Sequence, residues 1–153
     1  MKDLNGIWFY GLSGVGKSFA SNYIFSNNSK KSIILDGDKI REYISTDLKY
    51  SIKDREIQIK RIFGLAKISL LSNIFPIISS VYMNNFILKK TKLEKILVVN
   101  INRSSVQSMK NNDTYKEKKN VLGVDLEYEL LETKKIYNTG DNEFCKQLDS
   151  LIV

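Results

Sequence analysis

Gly11-Leu12-Ser13-Gly14-Val15-Gly16-Lys17-Ser18 is the stretch that decides the fold of this chain. It matches the phosphate-binding P-loop pattern, in which glycines let the backbone turn its N–H groups toward a polyphosphate. The apolar run Gly6–Tyr10 precedes it and predicts a buried strand. Residues 18–25 predict a helix, whose N-terminus is a favourable place for an anion. We therefore predict that this loop binds the phosphates of ATP.

Two side chains of the loop have predicted chemical roles. Lys17 is expected to place its charge on the β- and γ-phosphates and so to act in catalysis, and the Ser18 hydroxyl is expected to ligate Mg²⁺. ATP and Mg²⁺ are therefore the predicted cofactors. The residues predicted to contact ATP are Gly11, Ser13, Gly14, Val15, Gly16, Lys17 and Ser18.

Length and composition restrict the class of protein. We expect one domain from 153 residues, and 42% hydrophobic with 27% charged residues is ordinary for a globular protein. No apolar run approaches a membrane span and no signal peptide is visible, so we predict a cytoplasmic protein without membrane contact. Cys145 is alone and His is absent. This excludes a disulfide framework and a His base, so a general base must be a carboxylate.

The net charge of +7 admits either a nucleic-acid partner or a small anionic substrate. The lysines are scattered in pairs with no aromatic stacking motif between them, so we predict a small-molecule acceptor and no nucleic acid. The arginines are few, and three of them (Arg41, Arg55 and Arg61) lie close together. Because the planar guanidinium can bind phosphate in a way that Lys cannot, we expect this segment to bind the acceptor.

Strand and helix patterns alternate along the chain. Further strands are predicted at residues 32–35, 75–81, 96–101 and 135–138, and further helices at 39–44, 51–72 and 142–151. The alternation predicts an α/β fold of the P-loop NTPase type, a doubly wound parallel sheet flanked by helices, with the second strand next to the P-loop strand. Ligands of such sheets bind at the carboxyl ends of the strands.

Two carboxylates, Asp36 and Asp38, follow the second strand on either side of a glycine. One of them can hold a Mg²⁺-bound water while the other accepts a hydrogen bond from the acceptor hydroxyl. The alternative is an Asp-Gly turn that only caps the helix after it.

Several motifs together resemble the adenylylsulfate (APS) kinase family. The similar segments are residues 11–18, 35–41, 47–51, 54–58, 66–67, 122–129 and 138–140. The resemblance spans essentially the whole chain and implies one kinase domain at residues 1–153, with a short mobile lid at about residues 104–127. It also implies a homodimer that uses ATP to phosphorylate the ribose 3′-hydroxyl of a nucleotide whose phosphate carries a second acidic group.

The resemblance also implies roles for individual residues. Asp38 is implied to be the base or hydroxyl-orienting residue, and Asp36 the carboxylate near Mg²⁺. Arg41 and Arg55 are implied to clamp the phosphate of the acceptor. The residues implied to contact the acceptor are Asp38, Arg41, Arg55, Gln58, Ser80, Val81, Lys119 and Val121.

The acceptor half departs from the family pattern. Tyr82 stands where the family has a serine, the substrate-binding Arg after the third strand is missing, and Val121 replaces the Phe that stacks on adenine. This combination resembles the cytidine diphosphoramidate kinases of bacterial capsule biosynthesis, a branch of the family whose acceptor carries a pyrimidine. We expect Asn84, Asn85 and Gln58 to supply polar groups to that base, and cytidine diphosphoramidate to be the preferred acceptor.

Other functions stay open at this point. The first is an adenylylsulfate kinase that makes 3′-phosphoadenylylsulfate, and the second is a nucleotide-binding regulator without catalysis. A basic RNA-binding ATPase is a third possibility. The presence of Lys17, Asp36 and Asp38 argues against a regulator, and the missing stacking aromatics argue against the RNA-binding protein.

Overall fold

The sheet is built around β1 (Gly6–Tyr10), whose five residues are all buried. The structure is a computed structural model that describes residues 3–103 and 131–152. Its other strands are β2 (Ser32–Asp36), β3 (Phe75–Ser80), β4 (Ile96–Arg103) and β5 (Lys134–Asn138). They form one sheet of order β2–β3–β1–β4–β5, and every pair is parallel. The predicted doubly wound parallel α/β fold is confirmed.

Helices cover both faces of this sheet. They are α1 (Lys17–Asn27), α2 (Gly37–Tyr43), α3 (Ile52–Leu71), α4 (Asn85–Leu93) and α5 (Asn142–Asp149). Because side chains alternate along a strand, β1 serves both cores. Ile7 and Phe9 pack in the cluster that contains residues of α1 and α5, whereas Trp8 and Tyr10 pack in the cluster that contains residues of α2, α3 and α4. Burial on both faces explains why the strand is a continuous apolar run.

Two features differ from the sequence prediction. The second strand was expected beside the P-loop strand, but β3 lies between β1 and β2; pattern alone does not give the order of parallel strands. No helix was predicted at α4, whose last turn carries Lys90 and Lys92. The N-terminus of α4 is nevertheless capped, because the side chain of Asn84 accepts a hydrogen bond from the N–H of Ile87 at 3.0 Å.

The long helix α3 begins where the sequence predicts. The hydroxyl of Ser51 accepts a hydrogen bond from the N–H of Asp54 at 3.1 Å and donates one to the Asp54 carboxylate at 2.8 Å. This cap fixes the first turn of α3, which carries Arg55, with Gln58 one turn further along. Both of these side chains are buried.

No helix among residues 3–103 and 131–152 is long and apolar enough to cross a bilayer. The predicted lid, at about residues 104–127, lies outside the described residues, and so do Lys119 and Val121. The single-domain assignment therefore stays a prediction.

Candidate active site

One cleft of about 870 Å³ opens at the carboxyl ends of β1, β2 and β3. It brings together most of the residues that the sequence singled out for ATP, metal and acceptor binding. The predicted residues that line it are Ser13, Gly14, Gly16, Lys17, Ser18, Asp36, Asp38, Arg41, Arg55, Gln58, Ser80 and Val81. Gly11 and Val15 are not among the lining residues: Gly11 follows β1, and Val15 is 2% exposed in the core.

The glycine-rich loop is shaped by close approaches of backbone to backbone and to side chain. Gly16 caps α1 in the left-handed region with φ 104°, and a Cβ there would collide with the amide nitrogen of Asn138. Gly11, with φ 150°, lies so close to the carbonyl of Ile101 that a Cβ would not fit. Asn138 also donates to the carbonyl of Val15 at 2.8 Å, so the end of β5 supports the loop.

Lys17 lies at the start of α1 with its ammonium against the loop. Its Nζ donates to the carbonyl of Leu12 at 2.8 Å. Burial lowers the pKa of Lys17 to about 8, although the charges of Asp38 and Asp36 counteract part of this effect. The ammonium is therefore partly desolvated and lies in the field of two carboxylates, an arrangement that a polyphosphate would stabilise further.

Asp36 uses its two carboxylate oxygens for different purposes. Oδ1 caps α2 by accepting from the N–H groups of Asp38 at 3.0 Å and Lys39 at 3.3 Å. Oδ2 accepts from the hydroxyl of Ser79 at 2.7 Å and lies 3.5 Å from the hydroxyl of Ser18. Asp36 therefore caps α2, as the alternative interpretation expected, and also directs a carboxylate oxygen toward Ser18.

The oxygens around Asp36 Oδ2 fit a magnesium ion. Mg²⁺ prefers oxygen ligands and usually takes only one or two from the protein, with water and phosphate oxygens completing its shell. Ser18 and Asp36 provide such a pair, 3.5 Å apart in the cleft. Within the described ranges no group of three or more His, Cys, Asp or Glu residues could hold a metal alone.

The guanidinium groups of Arg41 and Arg55 both lie over the ring of Tyr50, a residue of the 47–51 segment. Their guanidinium carbons lie 4.9 and 5.8 Å from the ring centroid of Tyr50. Arg41 donates to the carbonyl of Lys49 at 2.5 Å, and Arg55 donates to the carbonyl of Tyr50 at 3.0 Å. Tyr50 lines the cleft and is 47% exposed, so its side chain is accessible from the cleft.

Arg61, the third arginine of this segment, pairs with the carboxylate of Asp47 through two hydrogen bonds of 2.5 and 2.8 Å. All three arginines therefore fasten the segment between α2 and α3, and this segment brings Tyr50 to the cleft. Arg61 is not among the residues that line the cleft.

Gln58 and Ser80 both line the cleft, but their side chains differ in their hydrogen bonds. Gln58 is 4% exposed, and its Nε2 donates to the carbonyl of Gly37 at 3.0 Å. The Ser80 hydroxyl accepts from the indole of Trp8 at 2.8 Å and donates to the carbonyl of Tyr82 at 2.8 Å. That hydroxyl is thus engaged in the wall of the cleft, whereas its contact with an acceptor stays a prediction.

The expected polar groups for a pyrimidine are placed differently from the sequence interpretation. Asn84 and Asn85 stand at the start of α4, and neither lines the cleft. The side-chain oxygen of Asn84 is occupied as the helix cap. Of the three residues expected at the base, only Gln58 lines the cleft.

Sequence reasoning gave no role to Tyr50, Ser79 or Asn138. The sequence nevertheless pointed to each of them. Tyr50 and Asn138 belong to segments that resemble the family, and Ser79 lies beside Ser80 at the carboxyl end of β3. Their functions depend on partners distant in sequence, such as Ser79 on Asp36 and Asn138 on the P-loop.

Comparison with known proteins gives consistent matches. A family model described as adenylylsulphate kinase matches residues 5–137. The adenylyl-sulfate kinase of Buchnera aphidicola subsp. Acyrthosiphon pisum is 40% identical over 76 residues, covering 48% of this chain and 37% of that protein. The adenylyl-sulfate kinase of Prochlorococcus marinus is 37% identical over 97 residues, covering 61% and 47%. The chain thus spans less than half the length of these curated relatives.

Solved structures match the fold over nearly the whole chain. The Mycobacterium tuberculosis APS kinase CysC, in complex with AMPPNP and APS, has a TM-score of 0.80 at 17% identity, covering 97% of this chain and 95% of that chain. A hexameric APS kinase from Thiobacillus denitrificans has a TM-score of 0.64 at 17% identity, covering 98% of this chain and 28% of that chain. These similarities establish the P-loop kinase fold.

Proposed function

The chain belongs to the adenylylsulphate kinase family, and from that premise we propose that it is an ATP-dependent kinase that phosphorylates the ribose 3′-hydroxyl of a nucleotide. The observation that carries the proposal is the single cleft that holds the P-loop, two carboxylates and two arginines. The names of the relatives, adenylyl-sulfate kinases, support adenylyl sulfate as the acceptor. A homodimer in the cytoplasm is part of the same proposal.

The P-loop side of the cleft would bind ATP. Backbone N–H groups at the start of α1 and the Lys17 ammonium would hold the β- and γ-phosphates. Ser18 and Asp36 would hold Mg²⁺, which when bound neutralises charge that develops on the phosphate oxygens. This side of the cleft needs little covalent chemistry, because phosphoryl transfer depends mainly on positioning and electrostatics.

The opposite side would bind the acceptor. Asp38 would accept the proton of the 3′-hydroxyl. The oxygen of that hydroxyl would bond to the γ-phosphorus of ATP as the bond between this phosphorus and ADP breaks. Arg41 and Arg55, whose side chains line the cleft, would bind the acceptor's acidic groups. The exposed side chain of Tyr50, which also lines the cleft, would contact the base.

A second acceptor, cytidine diphosphoramidate, is favoured by one specific observation. Tyr82 lines the cleft at the position of the family serine, where it takes space that a small side chain would leave to the acceptor. Because a pyrimidine is smaller than a purine, such a cleft suits it better. The family chemistry is the same for both acceptors.

The experiment is a comparison of acceptors. The protein is incubated with ATP and Mg²⁺ and with adenylyl sulfate, cytidine diphosphoramidate, or a short RNA, and release of ADP is followed with Lys17→Met as the blank. We expect acceptor-dependent ADP release with a nucleotide and none with RNA. A kcat/KM at least tenfold higher for cytidine diphosphoramidate would select the second acceptor. Binding of nucleotides without transfer of phosphate would indicate a nucleotide-binding regulator and not an enzyme.

A further inference from the structure

The ring of Phe19 is an exposed apolar surface in the first turn of α1, directly after Ser18 of the P-loop. Phe19 is 52% exposed and lines the cleft. Its ring centroid lies 6.1 Å from that of Tyr23 and 5.9 Å from that of Phe144, and Phe144 is buried in the core. The neighbouring rings therefore support Phe19 from the protein side, and the exposed part of its ring is available to a ligand.

Phe19 lies on the side of the P-loop that faces β5 and α5. Its neighbour Phe144 belongs to α5, and a Cβ on Gly16 would lie 3.6 Å from Cε1 of the same ring. Asp38, in contrast, lies just after β2, and β2 and β5 are the two edges of the sheet. The ring of Phe19 is therefore directed toward one edge of the sheet, and Asp38 lies toward the other.

The geometry of phosphoryl transfer determines where the leaving nucleotide extends. The attacking oxygen and the leaving oxygen lie roughly in line, on opposite sides of the phosphorus. Under the proposed function the acceptor hydroxyl lies beside Asp38, so ADP extends from the γ-phosphorus away from Asp38. Because the loop N–H groups hold the α- and β-phosphates, the nucleoside of the donor comes to the β5 side of the start of α1. The exposed ring of Phe19 lies on that side.

We propose that the ring of Phe19 packs against the nucleoside of the phosphate donor, so that the protein binds a nucleotide more tightly than an inorganic polyphosphate. This inference rests on the proposed function, which sets the direction of the donor. A phenyl ring carries no hydrogen-bonding group, so the contact contributes by removing apolar surface from water. Phe19 is thus a binding residue for the donor and takes no part in proton transfer.

The test is calorimetric titration of ADP and of pyrophosphate, each with Mg²⁺, into the wild type, Phe19→Ala and Phe25→Ala. Phe25 is the matched control, because it also belongs to α1, is 47% exposed and is not among the residues that line the cleft. We expect Phe19→Ala to weaken binding of ADP about tenfold, as loss of a contact between an aromatic ring and a base does, and to change binding of pyrophosphate less than about twofold. Phe25→Ala should leave both affinities unchanged.

Two further variants protect the test against a change in the fold. Phe19→Tyr keeps the ring and should bind ADP as tightly as the wild type does, and thermal unfolding shows whether Phe19→Ala is folded. If it is not, Phe19→Leu takes its place, since this side chain keeps an apolar contact with Phe144 but lacks the flat ring. It should show the same separation between ADP and pyrophosphate.

The other outcomes overturn the inference. Equal weakening of ADP and pyrophosphate in Phe19→Ala would mean that the ring only supports the P-loop, and unchanged ADP affinity would mean that the nucleoside lies elsewhere. A wild type that binds ADP no more tightly than pyrophosphate would also contradict it.

Equilibrium binding separates this inference from the proposed function, because the titrations need no turnover. A preference for ADP over pyrophosphate that depends on Phe19 would support the inference even if no phosphate reaches a nucleotide acceptor. Conversely, a kinase whose Phe19→Ala variant keeps the wild-type affinity for ADP would retain the proposed function and lose the inference.

Discussion

Asp36 shows how one side chain serves both the fold and the site. Its Oδ1 caps α2, and its Oδ2 faces Ser18 and Ser79. The cap holds the carboxylate in one orientation, so the oxygen beside Ser18 is in place before a metal arrives. Asp38, two residues later, has its backbone N–H in that cap and its side chain in the cleft, which leaves it available to an acceptor.

Lys17 makes nucleotide binding depend on pH. Burial lowers its pKa to about 8 in the free protein, and a bound phosphate favours the ammonium, so the pKa must be higher in the complex. Binding of ADP therefore takes up a proton, and affinity falls as pH rises through about 8, by up to about tenfold per pH unit well above it. Calorimetric titration with ADP between pH 7.5 and 9.5 measures this slope.

The matched variant for that titration is Lys17→Met, which has no group that titrates at this position. It should bind ADP more weakly and with little dependence on pH. The same slope in both proteins, or no slope in the wild type, would contradict the assigned role of the ammonium.

Replacing Asp38 by Asn should lower kcat by roughly 10²–10⁴-fold with little change in the KM for ATP, because a positioned proton acceptor is lost. Steady-state kinetics at several Mg²⁺ concentrations give both constants. Asp149→Asn on α5 is the control, since it lies outside the cleft. A change in Mg²⁺ dependence alone would mean that Asp36 and Asp38 have exchanged roles.

At the scale of elements, local signals gave the strands, the P-loop and the start of α3, since buried apolar runs and a Ser51 cap are visible in sequence. They did not give α4, whose polar composition hides its short buried face. They also did not give the position of β3 between β1 and β2. Strand order depends on which faces helices cover, and that is decided by packing between distant segments.

Acceptor binding should depend on the guanidinium geometry of Arg41 in α2 and Arg55 in α3. Arg41→Lys and Arg55→Lys keep the charge but lose the planar fork that would bind the acceptor's phosphate. We expect each to raise the KM for the acceptor roughly tenfold and to leave the KM for ATP unchanged. Arg61→Lys, outside the cleft, is the matched control. Acceptor constants that match this control would return both arginines to a purely structural role.

The end of β5 should affect ATP binding through Asn138. Asn138→Asp replaces the amide that donates to Val15 by a carboxylate that would repel that carbonyl and any phosphate bound by the loop. We expect the KM for ATP to rise by about tenfold. Asn142→Asp adds the same charge at the exposed first residue of α5 and should change little. An unchanged KM in Asn138→Asp would show that the loop holds its shape without this contact.

At the scale of the whole molecule, the P-loop side of the cleft could be predicted from sequence because it depends on one contiguous motif and on the residues that follow β2. The opposite side could be predicted only in part. The residues that line it as the resemblance implied are Asp38, Arg41, Arg55, Gln58, Ser80 and Val81. The place of Tyr50 beside two arginines could not be predicted, because it depends on packing between α2, α3 and the segment that joins them. Asn84 illustrates the difference: its residue type suited a base, but its position makes it a helix cap.

The most direct test of the central claim is the position of the transferred phosphate. The protein is incubated with ATP, Mg²⁺ and adenylyl sulfate or cytidine diphosphoramidate, and the product is examined by mass spectrometry and by phosphorus–proton correlation NMR. We predict one added phosphate coupled to the H3′ proton of the acceptor ribose, and none with Lys17→Met. Phosphate on any other oxygen, or ADP formed without a phosphorylated nucleotide, would contradict the account.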